Sequence, residues 1–101
     1  MNFNSNGDLE DALEKGGDLI ADAQKKWELS VLDRQRAEAL LCAKFRAEGP
    51  ERTSTQVKEM MQADQSHYDA VLKEIEAKSE YTRLYERHLS NKKKASLRSA
   101  F

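Results

Sequence analysis

Cysteine, proline and glycine are scarce in this chain of 101 residues, and each shortage removes a class of architecture. The single cysteine, Cys42, leaves no partner for an intramolecular disulfide, so a disulfide-stapled secreted scaffold is excluded. Large side chains are few as well: one tryptophan, three phenylalanines and three tyrosines cannot build a thick core. No segment approaches the roughly 20 apolar residues that span a bilayer, and the N-terminus has no apolar run of signal-peptide length. These absences predict an intracellular, cytoplasmic protein with no membrane role. With one proline and four glycines, everything between the breakers reads as helix.

What the chain has in quantity is charge, at 35% of residues, and it is unevenly spread despite a net formal charge of −1. Asp8, Glu10, Asp11, Glu14, Asp18 and Asp22 near the N-terminus face a single base, Lys15. In the last third, Tyr81, Tyr85 and Phe101 are interleaved with Arg83, Arg87, Lys92, Lys93, Lys94 and Arg98, and the only acids among them are Glu80 and Glu86. Such polarity suggests a basic surface for a polyanion and an acidic segment for something else.

The breakers set the organisation. Residues 1–7 are polar, and Gly16 with Gly17 should interrupt any helix begun at Asp8, which predicts a flexible acidic arm over residues 1–17. Asp18 is an N-cap candidate for a helix running to Glu48, where Gly49 and Pro50 stop it. Thr53 with Gln56 forms a capping-box signature for a short helix to about Ala63. Ser66 with Asp69 then opens a long helix to about Arg98. The prediction is all-α: two long helices joined by a short one in a hairpin, with residues 18–101 as the assembly and binding domain.

Periodicity adds self-assembly. At about 100° per residue, Ile20, Ala23, Trp27, Val31, Leu41 and Phe45 share one face of the first long helix. Leu29, Leu32, Leu40, Ala43 and Ala47 share nearly the opposite face. One hairpin partner covers only one stripe, so the other predicts association. Trp27, Val31, Leu32, Leu40, Leu41, Tyr81 and Tyr85 are the candidate oligomer-interface residues, in a homo-oligomer built by helix packing.

Among charged constellations, Arg34 and Glu38 sit where apolar residues are expected; they read as a polar seam position or as an arginine at an assembly interface. Lys44 and Arg46, with Arg36 earlier, either complement the helix dipole or contact phosphate. Phe45 lies on the apolar stripe and is assigned to the core. Tyr81 and Tyr85 read as packing residues or as stacking platforms. The run Lys92, Lys93, Lys94 and Arg98 has no acid after Glu86 and points to a polyanion. The candidate nucleic-acid-binding set is therefore Arg36, Lys44, Arg46, Arg83, Arg87, Lys92, Lys93, Lys94 and Arg98. His67, His88 and Cys42 form no spaced catalytic or metal motif, so neither an enzyme nor a cofactor is expected.

The order of Arg36, Ala39, Lys44, Arg46 and Gly49, then Val57, Lys58 and Met60, then Ala63 with Asp64, and finally Lys94, Leu97, Arg98 and Ser99 resembles the UvsY-type recombination mediators of tailed phages. The resemblance covers roughly the C-terminal two thirds. It implies a small helical protein that assembles into a ring, binds single-stranded DNA without strong sequence preference and loads a recombinase by displacing single-strand-binding protein. The family's Lys-x-Arg element would correspond to Lys44 and Arg46. This chain departs from the family in its shorter length, its fewer aromatics and its acidic arm. The alternative from pattern alone is a helical structural or adaptor protein of a phage or prophage, self-assembling without nucleic-acid binding.

Overall fold

A computed structural model describes the backbone of residues 5–99 and the side chains of residues 10–98. The expectations for residues 1–4, for Phe101 and for the Asp8 side chain lie outside the described residues. Three helices follow one another: α1 (Ser5–Glu48), α2 (Ser54–Gln62) and α3 (Gln65–Ser99). α1 and α3 pack along their length as an antiparallel hairpin, and α2 forms the corner. The extents are 71 × 17 × 17 Å with a radius of gyration of 21.5 Å, against about 13 Å for a compact chain of this length. The protein is thus a rod two helices wide, as the hairpin prediction requires.

The turn chemistry at the corner follows the sequence closely. Thr53 Oγ1 accepts from the Gln56 amide at 3.2 Å, and Gln56 Oε1 accepts from the Thr53 amide at 2.9 Å, closing the capping box of α2. Gly49 ends α1, but through close approach rather than a left-handed backbone: no glycine has positive φ among the described residues. Arg52 donates to the Phe45 carbonyl at 2.9 Å, and a Cβ on Gly49 would lie 2.6 Å from Arg52 Nε. α3 opens at Gln65, slightly before the expected Ser66 signal, because Asp64 takes the cap and accepts from the Ser66 amide at 2.9 Å. The Ser66 hydroxyl also donates to Asp64, and that bond first, with the amide bond second, holds the Asp64 carboxyl below its ordinary value.

The break expected at Gly16 and Gly17 does not occur: α1 continues through both, so residues 5–17 are its first turns. The reason is packing. A Cβ on Gly16 would stand 2.8 Å from His88 Nδ1, so the glycine is a notch that admits the imidazole of α3, and tertiary contact overrides poor helix propensity. Gly17 has open space around its Cα.

The seam between the long helices is a heptad pattern carried by mixed residues. Partly buried positions on α3 run Ala70, Glu74, Ala77, Tyr81, Leu84, His88, Asn91 and Ala95, alternating spacings of four and three. Ile20, Ala23, Trp27, Ser30, Arg34, Ala37 and Leu41 answer them from α1. Among the described residues, Leu41, Phe45 and Val57 form the one well-buried cluster, at the corner, with Cys42, Met60 and Met61 against it. Along the shaft the Trp27 and Tyr81 rings lie 5.4 Å apart, Tyr85 stacks beyond Tyr81 at 6.0 Å, and Lys78 Nζ lies 5.7 Å from the Trp27 centroid. Midway, Arg34 bonds both Glu38 and Glu74, which settles its role as a polar seam position and raises its already high pKa.

Two predictions follow from the seam. Gly17→Ala should raise stability by up to about 1 kcal/mol through helix propensity, whereas Gly16→Ala should gain less or lose, since His88 must move; equal thermal midpoints for the two variants would disprove the notch. Arg34→Leu alone should cost about 1–2 kcal/mol in urea unfolding by stranding two half-buried carboxylates, and leucine at Arg34, Glu38 and Glu74 together should recover most of it.

Candidate nucleic-acid interface

The hairpin sorts the nine candidate cations into groups that the linear sequence could not separate. Arg83, Arg87, Lys94 and Arg98 are spaced by four, seven and four residues, with Asn91 between the second and third. At about 100° per residue they form one row on a single flank of α3, roughly 22 Å long. Arg83 pairs with Glu80 at 3.0 Å in an exposed i,i+3 contact, worth little in water. Lys92 and Lys93 are exposed but turn away from the row, Lys93 toward the outer edge of the rod and Lys92 to the opposite flank of α3.

Beside the row runs a shallow groove of about 270 Å³, to which α3 contributes Leu84, Arg87, His88 and Asn91 and α1 contributes Lys15 and Leu19 with the Gly16 notch. Two cations therefore stand on opposite walls of one groove, above an apolar floor. His88 Nδ1 is buried at its base and has no hydrogen-bond partner among the described residues. Glu10, Asp11, Glu14 and Asp18, by contrast, are exposed, and their helical positions direct Asp11, Glu14 and Asp18 to the outer edge of α1, away from α3. The acidic segment lies at the same end of the rod as the basic one without covering it.

The remaining candidates belong elsewhere. Lys44 and Arg46 sit at the corner, where Lys44 Nζ lies 5.7 Å from the Phe45 ring and Arg46 donates to Ser54 Oγ at 3.3 Å. The helix from Gln65 onward separates them from the basic row by roughly 27 Å at Arg83 and roughly 50 Å at Arg98. Phe45 is buried, as expected, and is unavailable to a base. Arg36 is exposed on the outer edge of α1, within the Leu29, Leu32 and Leu40 stripe. Of the candidate interface residues, Trp27, Val31, Leu41 and Tyr81 are engaged within the hairpin itself, while Leu32, Leu40 and Tyr85 are exposed.

Lys15, His88 and Asn91 were not singled out as binding residues by sequence. Lys15 reads as a lone base inside an acidic segment, and only the register that sets Gly16 against His88 brings it opposite Arg87. Asn91 had a signal, since it continues the Arg83 and Arg87 spacing by four. Among the described residues no helix is long and apolar enough to cross a membrane. No protein-family model, curated protein or solved structure matches this chain.

Proposed function

We propose that this protein is a single-stranded-DNA-binding recombination mediator, which assists recombinase loading against single-strand-binding protein and acts as an assembly of several copies. The observation that supports it is the row of Arg83, Arg87, Lys94 and Arg98 on one flank of α3, with Lys15 across the groove from Arg87. A linear set of exposed cations tracks a phosphate backbone and reads no sequence, since no base-reading element accompanies it. Tyr85, 43% exposed and stacked outward on Tyr81, lies on the opposite flank of α3 and gives the row no aromatic face. One copy offers too few phosphate contacts for tight binding, and repeated copies raise affinity through effective concentration. The resemblance to UvsY-type mediators points the same way, although its Lys44 and Arg46 element stands at the far end of the rod from this row.

A second reading, a structural or adaptor protein without nucleic-acid binding, is favoured by the exposed apolar edges, which require assembly and nothing more.

Fluorescence anisotropy with a short single-stranded oligonucleotide over a salt series tests both. Four neutralised phosphates per copy give a log–log salt slope of about −3. Arg87→Ala with Lys94→Ala should halve that slope and weaken binding at least tenfold, whereas Lys44→Ala with Arg46→Ala should leave a ten-nucleotide strand bound as before. An assembled protein that ignores the strand at low salt would overturn the mediator reading and leave the structural one.

A further inference from the structure

The seam consumes one stripe of each long helix and leaves another bare. On α1, Leu29, Leu32 and Leu40 lie opposite the seam, with Ala43 and Ala47 continuing the line; on α3, Tyr68, Leu72 and Ile75 do the same. These six large side chains are 40–63% exposed. The two stripes therefore mark the two outer edges of a rod only 17 Å across. The register also sets their heights. Gly16 faces His88, Trp27 faces Tyr81, Arg34 reaches Glu74 and His67 lies 3.8 Å from Glu38, so residues 29–40 of α1 are level with residues 66–77 of α3. The two apolar edges stand at the same height on opposite sides.

Charge follows the same rule further along. The α1 edge below its leucines carries Asp11, Glu14, Asp18 and Asp22, all exposed. At the height of these acids, α3 carries Arg83 and Lys93 on or beside its outer edge, with Glu86 as the one acid there among the described residues. Each edge is thus apolar toward the corner and charged toward the open end of the hairpin, with net charges of opposite sign.

We propose that the hairpins associate side by side and head to tail, the α1 edge of one copy packing on the α3 edge of the next. This deepens the assembly element of the proposed function and does not depend on DNA binding. Side-by-side copies in the same orientation bring α1 against an antiparallel α3 at matched height, so leucines meet Tyr68, Leu72 and Ile75 while acids meet Lys93 and Arg83. The alternatives fare worse on the same residues. A two-fold axis along the rod sets Asp11, Glu14, Asp18 and Asp22 against their own copies. A two-fold axis across it pairs one stripe with itself and leaves the other edge bare. Only the heterologous contact covers both edges, and by repetition it closes a ring or extends a row.

Single cysteines in a Cys42→Ala background test this directly, because Leu32 and Leu72 are both exposed and their replacement leaves the seam untouched. Under mild oxidation, L32C mixed with L72C should give crosslinked dimers, the variant carrying both should give a ladder, and either variant alone should stay uncrosslinked. D11K with D18K should weaken assembly roughly tenfold or more by sedimentation, with helicity preserved. Self-crosslinking of L32C or L72C alone, or a monomeric mass at high protein concentration, would overturn the proposal. Salt-dependent DNA binding is read separately, so its loss leaves this result standing.

Discussion

Four contacts spaced along the shaft hold α1 and α3 in one antiparallel register, and through them every outward-facing residue acquires a height as well as a direction. The hydrophobic contribution to that register is thin. Leu41, Phe45 and Val57 at the corner contribute roughly 1.5–3 kcal/mol each, and toward the open end the seam is filled largely by alanine, glycine and polar side chains. A seam of small residues tolerates sliding by a heptad. The polar members do not: a seven-residue slip moves Arg34 about 10 Å from Glu74 and drives His88 against a side chain in place of the Gly16 notch. Apolar burial at the corner holds the helices together, and the polar contacts fix where they meet.

That register changes the meaning of the charge pattern. In the linear chain the acidic and basic segments are opposite poles, and mutual screening within one molecule is a natural reading. The hairpin places both at the open end, yet Asp11, Glu14 and Asp18 turn to the outer edge of α1 while Arg87, Lys94 and Arg98 occupy a flank of α3. Lys15 is the exception within the acidic segment, and it joins Arg87 across the groove. A polarised sequence has become a rod with one basic face and two unlike edges.

The elements that sequence reading placed well are those decided by local chemistry. The Thr53 and Gln56 capping box, the stop at Gly49 and Pro50, and the long breaker-free runs each depend on a few adjacent residues. The first turns of α1 were misread because Gly16 and Gly17 are breakers by propensity, and only the distant His88 explains Gly16. Likewise, Arg34 with Glu38 was legible as an i,i+4 pair, whereas Glu74, forty residues away, was not. The candidate cations were visible as a composition, but their division between row, edge and corner required the register. Lys44 and Arg46 look continuous with Arg83 to Arg98 in any list of basic residues, and the rod sets them roughly 27 to 50 Å apart.

A rod of this thinness faces a constraint that a globular domain escapes. Two helices can shield one stripe each, so any sequence with a second stripe must either bury it against another copy or leave it in water. The proposed pairing of Leu29, Leu32 and Leu40 with Tyr68, Leu72 and Ile75 also sets the α1 acids against Lys93 and Arg83. Such packing keeps the flank carrying Arg83, Arg87, Lys94 and Arg98 on the broad face of the assembly, since that flank lies about a quarter turn from the α3 edge. In the proposed packing Lys93 faces the neighbouring acids, while Arg87, Lys94 and Arg98 remain on the broad face. On these two proposals, assembly draws on Arg83 and Lys93 and polyanion binding chiefly on Arg87, Lys94 and Arg98, two subsets of one basic segment.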